Sequence, residues 1–342
     1  ELENTNKELT GVSAIVYVQT CAAEKRRRRK RHQFPNPDKR VFINPDVCEG
    51  CGDCGIQSNC VSIIPIETEF GRKRAIDQSS CNKDFSCVNG FCPSFVTIEG
   101  AKLKKEVASD FIIPQLPNPP LPKIKHTYNV VITGIGGTGV VTIGALLAMA
   151  AHLDGKGAGM MEMAGLAQKG GAVHIHCRIS NKPEDISAIR VATSEADAVI
   201  GGDLVTTAGL STLSLMHSGR TRAIVNGHET ITGEFTRDAK FAIPSDRLLL
   251  AIEAKIGASK VKFYDFSDLS RNMLGDSIYA NVMVLGASWQ NGMIPLSKSA
   301  IHKAITLNGT NIEMNIKAFE LGCWVIVDPS VVEKTISHKM PN

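Results

Sequence analysis

Seven of the ten cysteines lie between Cys48 and Cys92. Cys48, Cys51 and Cys54 follow C-x2-C-x2-C and Cys60 comes next; beyond a spacer stand Cys81, Cys87 and Cys92, the last followed by Pro93. Three thiolates at that spacing wrap a short loop around an inorganic cube, and a distant Cys before Pro closes the fourth corner, as in bacterial ferredoxins. The spacing predicts a 4Fe–4S cluster on Cys48, Cys51, Cys54 and Cys92. Cys60, Cys81 and Cys87 remain for a second cluster, one thiolate short, because Cys81-x5-Cys87-x4-Cys92 departs from the first pattern. That second group reads as a three-iron cluster, a cube with a non-cysteine ligand, or structural thiols. A zinc site would want paired C-x2-C motifs or histidines, and no His occurs between Cys48 and Cys92. A disulfide framework would need an oxidising compartment. The start, E-L-E-N-T-N-K, lacks the basic and apolar regions of a signal peptide, so a cytoplasmic location is expected.

A second chemical candidate is Gly134-x-Gly136-x-x-Gly139, which follows an apolar strand pattern and opens a helix pattern. Amides of Gly136, Gly137, Thr138 and Gly139 at a helix start suit a phosphate group. Equally, the glycines suit a tight turn and close helix–sheet contact. Glu162 reads as a ribose partner. The loop Met163–Gly171 is glycine-rich and carries Lys169, which suits an anionic ligand or a subunit contact. His174 and His176 alternate on one strand face and read as satisfied sheet histidines more readily than as a metal pair. His228 and Glu229 follow a strand end, where sites on such sheets lie.

The elements around these residues divide the chain. Residues 11–18, G-V-S-A-I-V-Y-V, read as one buried strand, and Glu1–Leu9 before it as the tail of a helix. Seven consecutive basic residues, Lys25 to Arg31, taken alone suggest a localisation signal or a nucleic-acid patch, but no motif of that class accompanies them. They read as a solvated linker or a basic surface facing an acidic electron-transfer partner or another domain. Short strands at 61–66 and 95–99 flank the cysteine loops, with the basic run Arg72-Lys73-Arg74 between them. Five prolines in residues 114–123 mark an extended linker. From Tyr128 strands alternate with helices: strands at 128–133, 159–163, 172–178, 196–203, 222–226 and 261–266, and helices at Val140–Leu153, up to His217, and at 276–291, 297–307 and 311–321. That alternation predicts a mainly parallel sheet covered on both faces. The expected class is α/β, a Rossmann-like domain preceded by a small ferredoxin-like iron–sulfur domain.

Composition narrows the functions. A formal net charge of +4, two Trp and four Tyr offer little for nucleic acid, and no run of eighteen apolar residues occurs, so no membrane span is expected.

Taken together, V-F-I-N-P-D-V-C-E-G-C-G-D-C-G-I-Q-S-N-C, S-S-C-N-K-D-F-S-C-V-N-G-F-C-P-S-F, G-I-G-G-T-G-V-V-T-I-G and M-A-G-L-A-Q-K-G-G-A-V resemble the fused indolepyruvate ferredoxin oxidoreductase family of 2-oxoacid oxidoreductases. In that family thiamine diphosphate, with magnesium, attacks a 2-oxoacid, carbon dioxide leaves, coenzyme A takes the acyl group, and electrons pass through iron–sulfur clusters to ferredoxin. The resemblance implies that residues 1–40 end a thiamine-binding domain, with a basic linker. It makes 41–100 a ferredoxin-like domain, 101–126 a Pro-rich linker, 127–325 a gamma-type domain and 326–342 a tail. The implied partners are ferredoxin, the missing thiamine-binding domains and further copies of the chain, with no role for nucleic acid or membrane. Gly134–Gly139 and Lys169 would line the acyl-acceptor site or an interface. No thiamine-binding G-D-G…N motif appears, so no catalytic residue is expected here and the chain alone should not decarboxylate. Val18 stands where the family often has an acidic residue before Gln19-Thr20-Cys21, which weakens any role for Cys21. A different class, an iron–sulfur carrier with a nucleotide-binding domain, is the alternative.

Overall fold

The computed structural model describes residues 10–16, 18–20, 22–78, 80–101, 111–164, 171–230 and 240–330, with the single residues 7, 235 and 238. These fall into two compact units, the first within residues 1–102 and the second taking up nearly all the rest.

The first unit is built from two antiparallel ribbons. Strand β1 (Lys39–Ile43) pairs with β4 (Phe95–Glu99), Lys39 opposite Glu99 and Ile43 opposite Phe95. Between them in sequence, β2 (Ile63–Thr68) and β3 (Gly71–Ile76) form a hairpin whose ladder runs from Ile63–Ile76 to Thr68–Gly71. Gly71 sits at φ 87°, a left-handed backbone that only a residue without Cβ adopts freely. Val41, Ile43 and Ile63 are its buried aliphatic side chains. Gln78 joins the ribbons by donating from Nε2 to the Val41 carbonyl at 2.6 Å.

Two expectations for this unit are corrected. Residues 12–16 and Val18 are not a buried strand: no ladder includes them, and Val12, Val16 and Val18 are exposed. β-branched residues favour a strand only where a neighbouring strand covers them, and among the described residues none does. The basic run is not a linker but part of helix α1 (Ala22–Lys30). Arg26 donates to the Ser80 carbonyl at 2.9 Å and Arg29 to that of Asn82, so its arginines clasp the backbone on either side of Cys81. Of the helix tail expected over Glu1–Leu9 only Lys7 is described, and it is helical; Cys21 lies outside the described residues.

The second unit holds a six-stranded sheet in the order β10-β9-β8-β5-β7-β6. Its strands are β5 (Thr127–Ile135), β6 (Gly157–Ala164), β7 (Ala172–Ser180), β8 (Ala198–Gly201), β9 (Arg222–Asn226) and β10 (Val261–Tyr264). β5, β8, β9 and β10 are parallel, whereas β7 runs antiparallel to both β5 and β6. The sheet is therefore mostly parallel and Rossmann-like. Helix α3 (Val140–Leu153), after the short α2 (Asp53–Ser58) of the first unit, buries Val140, Ile143, Leu146, Leu147, Ala150 and Ala151 against it. That stripe recurs every three to four residues, as an amphipathic helix requires. Burying each such Leu or Ile contributes about 1.5–3 kcal/mol.

Helices α4 (Leu204–Thr207), α5 (Leu210–Leu213), α6 (Ser245–Ile256), α7 (Phe266–Leu274), α8 (Ala280–Gln290), α9 (Lys298–Asn308) and α10 (Ile312–Val327) complete the unit. The helix expected to reach His217 is thus two short pieces, since Gly209 interrupts it in extended conformation at ψ 146°. α8 and α10 cross at two glycines: a Cβ on Gly286 would lie 2.0 Å from the Phe319 carbonyl oxygen, and one on Gly322 the same distance from that of Met283. Backbone meets backbone there because neither residue has a side chain. Among the described residues no helix is long and apolar enough to cross a membrane.

Candidate functional site

The cysteine region of the first unit is two copies of one backbone motif. In the first, Cys48 N donates to the Asn44 carbonyl (3.0 Å), Gly50 N donates to Cys48 Sγ (3.3 Å), and Gly50 and Gly52 have φ of 73° and 87°. In the second, Cys81 N donates to the Asp77 carbonyl (3.1 Å), Lys83 N donates to Cys81 Sγ (3.4 Å), and Lys83 and Phe85 have φ of 52° and 59°. A short helical segment follows each loop, α2 after the first and the 3-10 turn Ser86–Val88 after the second. The motifs also exchange backbone bonds reciprocally. Asn44 N donates to the Ser94 carbonyl and Asp77 N to the Ser62 carbonyl, each at 2.8 Å. Ser62 lies two residues after Cys60 and Ser94 two after Cys92, so the last cysteine of each copy is tied to the start of the other.

The thiols group accordingly. Cys54 interacts electrostatically with Cys48 and Cys51, and Cys87 with Cys60 and Cys81. Burial pushes the Cys54 thiol up to about 11, and the two neighbouring thiols push the same way. Burial and its neighbours likewise push Cys87 up to about 11. Arg74, almost fully buried, opposes that rise at Cys54, and its own guanidinium is shifted down mainly by desolvation. Lys73 Nζ donates to the Cys48 carbonyl at 2.6 Å. The basic run of the spacer thus lies beside the first thiol group. Cys92 Sγ pairs with Ser94 Oγ at 3.0 Å. Among the described residues no three Cys, His, Asp or Glu converge on one point as a single metal ion needs.

The glycine loop of the second unit is closed by the protein itself. Gly136 N donates to the Gly171 carbonyl at 2.8 Å, and Asn281 of α8 donates from Nδ2 to the Thr138 carbonyl at 2.7 Å. Gly137 and Gly139 are both at φ 88°. A Cβ on Gly134 would fall 2.4 Å from Val140 Cγ2, and one on Gly202 the same distance from Asn281 Oδ1. These glycines meet the demands of a tight turn, a packed helix start and a buried Asn. Asn281 was missed in the sequence because its partner is 143 residues away.

Glu162 is not next to this loop, which corrects the ribose reading: β7 lies between β6 and β5, with Glu162 opposite Ile175 and Ile175 opposite Ile132. Lys169 lies outside the described residues. His174 meets Thr212 Oγ1 (3.1 Å) and Ser211 Oγ (3.2 Å), and Val191 N donates to His176 Nδ1 (2.9 Å). Burial pushes His176 down to about 4; His174 is satisfied by hydroxyls, whereas the buried Nε2 of His176 has no partner among the described residues. His228 contacts Asp265 Oδ2 through Nδ1 and Arg271 through Nε2, each at 3.0 Å, and Glu229 accepts from Ser245 Oγ at 2.5 Å. Two open clefts of this unit, one along 111–118 and α10, the other at the start of β5, are not lined by the glycine loop.

A Rossmann-like sheet with one reversed strand, its glycine turn sealed by an Asn from a later helix, defines the second unit as an α/β domain. The chain belongs to the family described as pyruvate ferredoxin/flavodoxin oxidoreductase, which it matches over residues 129–324. It is similar to the indolepyruvate oxidoreductase subunit IorB of Thermococcus kodakarensis and to that of Pyrococcus horikoshii. Each is 27% identical over 197 residues, covering 57% of this chain and 94% of the relative. Similar solved structures include the gamma subunit of a keto/oxoacid ferredoxin oxidoreductase from Geobacter sulfurreducens (22% identity, 58% of this chain, 98% of that one, TM-score 0.41). Another is a pyruvate oxidoreductase subunit from Thermotoga maritima (20% identity, 58% and 96%, TM-score 0.42).

Proposed function

We propose that the chain is the electron-transfer and gamma-type part of a 2-oxoacid oxidoreductase, with its first unit a carrier of iron–sulfur clusters. The observation that carries this reading is the paired N–H···S motif at Cys48 and Cys81, each heading a group of neighbouring thiols. Burial first, and the neighbouring thiols second, raise the proton affinity of one thiol in each group, Cys54 and Cys87, so ionising them calls for a bound cation. Iron is such a cation, and its binding displaces the protons. Cys48, Cys51, Cys54 and Cys92 would hold the first cluster, and Cys60, Cys81 and Cys87 belong to a second. Bound there, the clusters would accept and release single electrons. The chain's own residues set the conditions: amides of Gly50 and Lys83 donate to ligand sulfurs, and Arg74 adds positive charge, both of which favour the reduced state.

The substrate reading is an aryl 2-oxoacid such as indolepyruvate, supported by the names of the relatives. In it, decarboxylation on thiamine diphosphate with magnesium is carried out by other domains or subunits, coenzyme A takes the acyl group, and ferredoxin receives the electrons. The Gly134–Gly139 loop, with Lys169, is assigned to the acyl acceptor or an interface. The sealing of that loop by Asn281 favours the interface.

Anaerobically purified protein should contain iron and acid-labile sulfide in equal amounts, at least about four of each per chain. It should also show a low-temperature electron paramagnetic resonance signal on reduction. Zinc without sulfide would sink the reading.

A further inference from the structure

The second cysteine loop lacks a thiolate at the position where the first loop has its middle one, and the backbone shows what replaces it. Cys81 matches Cys48 by its amide bond to the fourth residue before it and by its Sγ bond from the second residue after it. Lys83 and Phe85 match Gly50 and Gly52 by positive φ, which a Lys or Phe adopts only at a cost of roughly 1–2 kcal/mol. Cys87 matches Cys54 by burial and by its place in the following helical turn. The residue between the two left-handed positions is Cys51 in the first loop and Asp84 in the second, and both are exposed. The second loop is therefore C-x2-D-x2-C.

Asp84 is also among the charges that act on Cys87, together with Cys60 and Cys81. Ser86 engages Asp84 Oδ1 through its amide (3.4 Å) and its hydroxyl (3.2 Å). Among the described residues nothing engages Oδ2. Around the loop stand Arg26, Arg29 and Lys83, the last donating to Asn36 Oδ1 and the Pro37 carbonyl at 2.9 Å each. Four anionic ligands on a cubane leave a net negative charge, which such cations offset.

We propose that Asp84 is the fourth ligand of a second 4Fe–4S cluster otherwise held by Cys60, Cys81 and Cys87. The inference rests on the reading of the first unit as a cluster carrier and adds the residue that completes its second site. A carboxylate oxygen is a harder donor than a thiolate and holds iron less firmly, so the corner at Asp84 is the one that exchanges. Mild oxidation with ferricyanide should then take one electron from a cluster of charge 2+ and release that corner as Fe2+, leaving a 3Fe–4S cluster of charge 1+.

The test uses the anaerobically purified full chain. Wild type should contain about eight iron per chain, and ferricyanide should release about one Fe2+ from it as a three-iron paramagnetic signal appears. Asp84→Cys should abolish that release. Asp84→Ala should show the three-iron signal as isolated, with sulfide unchanged. If Asp84→Ala does not fold, the Asp84→Cys arm decides alone. Iron release from Asp84→Cys equal to that of wild type overturns the assignment. Iron and sulfide for one cluster, unaffected by Cys87→Ala, overturn it too while leaving the carrier reading intact; zinc without sulfide removes both.

Discussion

The two units reach order by different routes. The second is organised around an apolar core in which Leu147, Ile175, Ile179, Met283, Leu285, Phe319 and Leu321 are fully buried. The first buries little aliphatic side chain beyond Val41, Ile43 and Ile63, and it encloses Arg74 and a buried Cys48 instead. A small unit with so little apolar burial needs a staple, commonly a metal or a disulfide, and its described thiols are free. The contrast extends to the cysteines. Cys177 and Cys323 lie in the apolar core, where burial alone pushes Cys177 up to about 12, and they pack as small hydrophobes. Cys54 and Cys87 are less buried and have thiol neighbours, and Arg74 stands beside Cys54. Environment, not residue type, separates the packing thiols from the grouped ones.

The sharpest way to break this comparison is to remove the iron proposed for the first unit. Chelation under oxidising conditions should abolish amide protection throughout the first unit while β5, β8 and α8 keep theirs, as read by hydrogen exchange on one sample. Protection of β1 and β4 surviving metal loss would show that the first unit has no need of a staple.

A smaller effect should come from the α8–α10 crossing. Gly322→Ala puts a Cβ 2.0 Å from the Met283 carbonyl oxygen, so the helices must part. Destabilisation by about 3 kcal/mol is expected in the second unit, with the metal content of the first unchanged. A melting temperature equal to that of wild type would mean the two helices do not depend on backbone contact.

The smallest test is electrostatic. Burial alone would raise the Asp154 pKa, but the Ser297 amide (2.7 Å), the Ser297 hydroxyl (2.6 Å) and Lys156 outweigh it, so the carboxyl lies below its usual 3.8. A depressed carboxyl contributes stability that is complete above its unfolded value and is lost as pH falls through the folded one. Asp154→Asn should therefore cost about 1 kcal/mol at neutral pH. The cost should shrink as pH drops below 3.8 in acid titrations of the second unit. An equal cost at both pH values would assign the effect to shape instead of charge.

Much of the second unit could be read from residue order because its periodicities are clean. α3 spans Val140–Leu153 and β9 Arg222–Asn226 as the patterns predict. α6 and α7 were missed: α6 has only Ile252 and Ile256 buried, and α7 follows β10 so closely that Asp265 and Phe266 read as strand. In the first unit β3 read as a charged spacer because Arg72, Lys73 and Arg74 mask its alternation. Arg74, the one buried member, is the residue burial statistics least expect inside.

Sequence spacing alone determined that Cys48, Cys51 and Cys54 form one local group, because a loop of seven residues leaves no freedom to do otherwise. It also determined the alternation of strands and helices, since burial on both sheet faces imposes it. Only the tertiary structure decided what depends on distant parts meeting. It reversed β7 between β5 and β6, set Asn281 over the glycine turn, and laid the Cys81 loop out as a second copy of the Cys48 loop. That last likeness is carried by φ angles and amide bonds that different side chains can share. In the sequence it leaves only the equal spacing of Cys48 to Cys54 and Cys81 to Cys87, and Asp84 at the midpoint gained meaning once the backbone matched the two loops.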